Sequence, residues 1–210
     1  MNQAFELVFQ ILILLFSVVI HEVAHGTVAY ALGDSTAKDE GRLTLNPLKH
    51  LDPFGSVLLP FITYITGGFV FGWARPVPYN PLNLRSKKLF GMKPEALVGI
   101  AGPLSNIIIA VVFGLAVRFS FVFSFPTAFL QIAFYIAFLN IVLAVFNLVP
   151  LPPLDGSKVL FAFLPPHLSH IRALMEQYGI ILLLFFIFFF SGIILPIATF
   201  LFRLITGTGV

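Results

Sequence analysis

"FSVVIHEVAHGTVAYALG", residues 16–33, places two histidines and a glutamate within five residues of one another, in a stretch otherwise apolar enough for lipid. Ionisable side chains inside a bilayer are costly, and those that persist there usually serve a function. On a helix, His21 and His25 are four residues apart and share a face, so their imidazoles can grip one zinc ion. Glu22 is turned about 100° from His21 around the helix and is placed to act as general base toward an attacking water. The plainer reading is two buried histidines hydrogen-bonded to other helices; the cost of burying them in lipid weighs against it. At about 1.5 Å per residue, His25 lies roughly 10 Å and His21 roughly 16 Å from the helix end near Gly33.

The composition supports a membrane setting. Of 210 residues, 59% are hydrophobic and only 10% are charged, where a soluble domain usually carries about 25% charged residues. Twenty-six phenylalanines exceed what one soluble core needs. The absence of cysteine excludes disulfides and thiolate metal sites, which leaves His, Asp and Glu as ligands. No nucleic-acid partner is expected; the partner implied by composition is the lipid bilayer. The N-terminal "MNQAFELVFQ" has no basic region, and the apolar run after it is too long for a signal peptide, so the first segment is expected to be a retained membrane helix.

Four stretches are long enough to span a bilayer, which takes about 20 residues: 4–32, 95–118, 128–149 and 179–204, the last expected to bend at Pro196. A fifth apolar stretch, 53–72, holds Pro60, Gly67, Gly68 and Gly72, and suits a broken or re-entrant segment. With four spans, Lys38, Arg42, Lys49, Arg75, Arg85, Lys87, Lys88, Lys93, Lys158 and Arg172 fall on one side, and only Arg118 and Arg203 on the other. The positive-inside bias makes the first side cytoplasmic and both termini extracytoplasmic. The expected fold is therefore an all-α membrane protein of about four transmembrane helices, forming a single domain over 1–210. "GRLTL" and "FVFGWARPVPYN" in the loop between the first two spans are expected as short strands.

Two histidines do not complete a catalytic zinc site, which takes a third protein ligand and leaves a fourth position for water. His50, His167 and His170 lie in loops without a partner motif and are expected to be solvated or interfacial. Asp155 is better placed, in "FNLVPLPPLDG", residues 146–156. Pro150, Pro152 and Pro153 cannot sustain a helix and force extended backbone at membrane depth, tolerated only where it is buried in protein or lines a wet cavity. Gly156 permits a sharp turn or close approach. Asp155 also falls on the cytoplasmic end of its span, the same half of the membrane as His21 and His25. Asn147, eight residues earlier, is a candidate for holding substrate backbone or an oxyanion, or for satisfying backbone groups freed by Pro150. Asn106, mid-span in "AGPLSN", is expected to bond across helices rather than to catalyse.

"HEVAH" on the first span, with "NLVPLPPLDG" over 147–156, resembles the paired signature of site-2 proteases, zinc metalloproteases that cleave peptide bonds within the membrane. "GRLTLNPLKHLDPFG" and "AGPLSN" are similar to sequences of its small bacterial and archaeal members. The resemblance implies one zinc per chain held by His21, His25 and Asp155, with Glu22 as the base. It implies single-span membrane proteins as substrates, and a membrane-entering β-structured loop between helices 1 and 2 that presents them. The chain has room for neither the PDZ nor the CBS domain some members carry. A non-proteolytic membrane zinc protein, such as a metal transporter or sensor, is the alternative. Transporters rarely need a glutamate beside the first histidine and tend to show repeated halves, which this sequence lacks.

The orientation is testable. A reporter fused after Val210 should be active only outside the cytoplasm, and one inserted near Lys87 only inside; the reverse at either point overturns the four-span arrangement.

Overall fold

A computed structural model describes residues 3–52, 75–85 and 92–207, with residues 55, 58, 62 and 65. It divides into two units, Met1–Arg85 and Ser86–Val210. Among the described residues, four segments have the length and apolarity to cross a membrane: Val8–Ala31, Pro94–Arg118, Thr127–Asn147 and Gly179–Thr206. They coincide with the four expected spans to within a few residues at each end. The proposed re-entrant segment 53–72 lies outside the described residues, apart from Gly55, Leu58, Ile62 and Ile65, whose backbone is helical.

In the first unit, α1 (Gln3–Ala31) buries a stripe of Ile13, Ser17, His21, His25 and Ala29, one residue in four, as a helix face requires. The helix stops at Gly33, whose φ of +109° few side-chain-bearing residues adopt, while the Asp34 N–H returns to the Ala29 carbonyl at 3.0 Å. A short α2 (Thr36–Asp39) follows. Two 3-10 turns, Pro47–Lys49 and Pro81–Asn83, share one device: Asn46 and Asn80 each accept the N–H two residues on, with proline as the first residue of the turn.

Asp34 ties this unit together. Its fully buried carboxylate accepts from Thr36 Oγ1 (2.6 Å), Thr36 N (3.3 Å), Asn83 Nδ2 (2.8 Å) and Asn80 N (2.9 Å). Burial alone would raise its pKa; the hydrogen bonds together outweigh burial and hold it below the ordinary 3.8.

The second unit contains α3 (Pro94–Arg118), α4 (Ser120–Phe123), α5 (Thr127–Asn147), α6 (Asp155–Phe163), α7 (Ser169–Gln177), α8 (Gly179–Phe190) and α9 (Ile194–Thr206). Small residues let α3 and α5 approach closely: Ala101, Gly102 and Ala110 on one, Ala133, Ala137 and Ala144 on the other, all buried. Between them Asn106 Nδ2 donates to Asn140 Oδ1 at 2.7 Å, the interhelical bond expected of Asn106. Phe202 of α9 is fully buried, edge-on to Phe134 and Phe138 at 4.6 and 5.6 Å between ring centroids. Ile205 packs where a Cβ on Gly114 would stand, and Arg118 donates to the carbonyls of Leu204 and Ile205 (3.1 and 3.3 Å). By contrast α8 is mostly outward-facing, with Phe188 79% exposed, as suits a helix against lipid.

The last span is interrupted by a 3-10 turn at Ser191–Ile193, just before Pro196. Pro196 occupies the first turn of α9, where a missing N–H costs no helical bond. One local expectation, the short strands, is corrected. Among the described residues there is no strand. "GRLTL" forms turns: Gly41 has φ +63°, Arg42 N bonds back to Ala37 O at 2.8 Å, and Asn46 N bonds the Thr44 hydroxyl at 3.2 Å. Within "FVFGWARPVPYN", residues 69–74 lie outside the description. Residues 75–80 form no strand either, and Pro76 and Pro78 carry no N–H with which to ladder on the edge they would face.

Candidate metal centre

In the first unit, His21 and His25 turn the same nitrogen inward. Their Nε2 atoms lie 3.1 Å apart, with the rings edge-to-face at 82°, and both side chains are buried. Two imidazoles on one tetrahedral ion, each about 2.0–2.1 Å from it, bring their nitrogens to about 3.3 Å. The pair is thus nearly at chelating distance, as the four-residue spacing predicts.

Glu22 is half-buried and points to a different neighbour. Its Oε2 accepts the Val77 N–H at 2.8 Å. Val77 is buried and presses on the α1 backbone at Gly26, where an added Cβ would meet Val77 Cγ1 at 2.7 Å and Leu43 Cδ2 at 2.6 Å. Gly26 is therefore the residue that lets the 75–80 segment lie against the helix one turn beyond Glu22. Arg42, also buried, donates from Nη2 to the carbonyls of Arg75 (2.9 Å) and Pro76 (3.2 Å). Burial lowers its pKa, as does the like charge of Arg75, while Glu40 and Glu22 act the other way.

In the second unit, Asp155 is the first residue of α6 and is buried. The prolines before it explain why α6 begins there. Pro150 would have met the Phe146 carbonyl, so α5 stops at Asn147 and that carbonyl takes Val149 N at 3.2 Å instead. Leu154 is extended (ψ 154°), and its carbonyl accepts both the N–H and the hydroxyl of Ser157, at 3.1 and 2.7 Å. A Cβ on Gly156 would overlap the backbone of Leu148 and Val149, so only glycine lets the helix start so close to the end of α5. Lys158, one turn on, holds Asp155 Oδ1 at 2.9 Å and so orients the carboxylate. His21, His25 and Asp155 are each buried and each offers one metal-ligand atom.

The other candidates divide. His167 and His170 are exposed, as expected. His50 is neither solvated nor interfacial but fully buried: its Nε2 lies 2.8 Å from Thr44 O and its carbonyl accepts Arg75 N at 2.9 Å. It braces two parts of the loop. Asn147 Nδ2 donates to Leu143 O within its own helix at 2.9 Å, and Pro150's effect on the backbone is absorbed elsewhere. Val77, Arg42 and Lys158 were not anticipated. The signal for Val77 was the Pro76-Val77-Pro78 triplet, which has one N–H to give.

Comparison with known proteins places the chain. The model of "Peptidase family M50" matches residues 124–191, a stretch that holds Asp155 and its prolines. A Bacillus subtilis protein named "Putative zinc metalloprotease YwhC" is 42% identical over 180 residues, covering 83% of this chain and 77% of the relative. Proteins named "Putative zinc metalloprotease Rip2" from Mycolicibacterium smegmatis and Mycobacterium tuberculosis are 30% and 29% identical, over 80% and 81% of this chain. The match covers 62% of each mycobacterial protein's length, less than two thirds. No solved structure gives a significant match.

Gly156→Ala should keep the helices but displace Asp155. Metal titration should show about 10- to 100-fold weaker binding, the usual effect of disturbing a ligand's support; unchanged affinity with intact circular dichroism would remove Gly156 from this role.

Proposed function

We infer that the chain, which belongs to peptidase family M50, is a zinc-dependent metalloprotease working inside the membrane. The observation that carries this is the buried His21–His25 pair on a membrane-length helix, with a carboxylate between them in sequence that bonds a backbone amide and not the histidines. We propose that His21, His25 and Asp155 hold one zinc ion. Zinc, when bound, polarises water and the scissile carbonyl. Glu22 then accepts the proton of the attacking water and passes it to the leaving amine nitrogen. Asn147 has a second amide hydrogen with which to hold substrate backbone or the developing oxyanion.

The finer features rest on charge distribution and resemblance. Both termini are placed outside the cytoplasm and the centre in the cytoplasmic half of the bilayer, from the skewed lysines and arginines. Single-span membrane proteins are the proposed substrates, unwound and received along the loop between α1 and α3. A helical substrate shields its peptide bonds in its own hydrogen bonds, and an extended one needs partners for them.

Glu22→Gln keeps the shape but cannot take a proton. Turnover by the purified protein should fall by about 10²–10⁴-fold, with zinc content and substrate binding retained. Substrate caught on the variant should photo-crosslink to residues 41–80. Full cleavage would sink the assignment of the base; loss of zinc would make Glu22 a ligand or a prop; crosslinks confined to other regions would remove the loop from substrate handling.

A further inference from the structure

Segment 75–80 meets Glu22 through the Val77 N–H, and residues of the first unit fix it on either side. Between Arg75 and Tyr79 the only backbone N–H belongs to Val77, because Pro76 and Pro78 have none. That N–H goes to Glu22 Oε2 at 2.8 Å, across 55 residues of sequence. Upstream, the segment is fixed by Arg75 N on His50 O (2.9 Å) and by Arg42 Nη2 on the carbonyls of Arg75 and Pro76. Downstream, Asn80 N and the Asn83 amide meet the buried Asp34, and Arg85 N meets Leu32 O at 2.9 Å. Val77 itself fills the space beside Gly26.

A glutamate on a helix has three rotatable side-chain bonds and would sample several rotamers if left in solvent. A base must instead sit within hydrogen-bond reach of the proton it takes. Tying Oε2 to a fixed amide leaves Oε1 for that proton and removes most of the alternative rotamers. The amide follows directly on the carbonyls of Arg75 and Pro76, and one arginine side chain holds both. Arg42 is suited to this because its planar fork carries directed donors that no lysine reproduces. Its burial, at 4% exposure, is hard to explain by a solvated surface role.

Building on the general-base reading of Glu22, we propose that residues 75–80 form a strap that orients the Glu22 carboxylate through the Val77 N–H, and that Arg42 is the positioning residue that holds the strap in place. Arg42 touches neither substrate nor metal in this account; it acts on the rate through Val77 and Glu22.

Two measurements on the full-length chain separate this proposal from the protease reading. The first needs neither zinc nor substrate. In metal-free protein, hydrogen exchange resolved to the Val77 amide should be slow. It should speed at least tenfold in Glu22→Ala and in Arg42→Met, and stay slow in Glu22→Gln, whose side-chain oxygen still accepts. Unchanged exchange in Glu22→Ala overturns the strap whatever the protein's activity. The second is kinetic. Arg42→Met should lower kcat at least tenfold, with KM within twofold and zinc content unchanged, and Arg42→Lys, which can reach one carbonyl, should recover part of the loss. Equal activity in wild type and Arg42→Met, or a loss carried in KM or zinc content, overturns the positioning role. If Arg42→Met does not fold, Val77→Pro against Val77→Ala decides: a kcat deficit confined to the proline variant supports the N–H as the working group, and equal deficits reject it.

Discussion

Backbone outside a helix carries N–H groups that apolar surroundings cannot satisfy, and each of the two units meets this constraint with proline. In the first unit, Pro76 and Pro78 leave Val77 as the one amide donor between Arg75 and Tyr79, and Glu22 takes it. In the second, Pro150, Pro152 and Pro153 end α5 and delay the next helix until Asp155, whose carboxylate then stands at a helix N-terminus, where negative charge is favoured. Proline therefore does two jobs here: it reduces the number of amides that need partners, and it decides which residue the chain presents next.

Glycine supplies the complementary condition. Gly26 and Gly156 are both helical residues with no space for a methyl group, one against Val77 and Leu43, the other against the backbone of Leu148 and Val149. Each sits beside a residue assigned to the chemistry, one turn after Glu22 and one residue after Asp155. Close approach at these two points lets a non-helical segment run directly against the helix that carries the functional side chain.

Much of this was legible in the sequence, and the failures have physical reasons. The four spans followed from apolar length alone, and the histidine pair from helical spacing. Asp155 followed from prolines that no helix tolerates. His50 was misjudged because the burial of a loop residue depends on distant chain, here Arg75 folding back onto its carbonyl. "GRLTL" resembles a strand by residue type, yet its own first residue, Gly41, closes the turn after α2 and its neighbours bond locally. The last span changes to a 3-10 turn just before Pro196, which stands in the first turn of the helix that follows. Val77 could be flagged as a lone donor, but its acceptor lay 55 residues away and no local pattern names it.

The central claim is a zinc ion held by two imidazoles and one carboxylate. X-ray absorption at the zinc edge, on zinc-loaded wild type and Asp155→Ala, tests it most directly. The account predicts one zinc per chain with two imidazole nitrogens, one carboxylate oxygen and a water oxygen at about 2.0–2.2 Å, and loss of the carboxylate oxygen and of most of the zinc in Asp155→Ala. An unchanged spectrum and full occupancy in Asp155→Ala, or a third imidazole in the wild type, would contradict it.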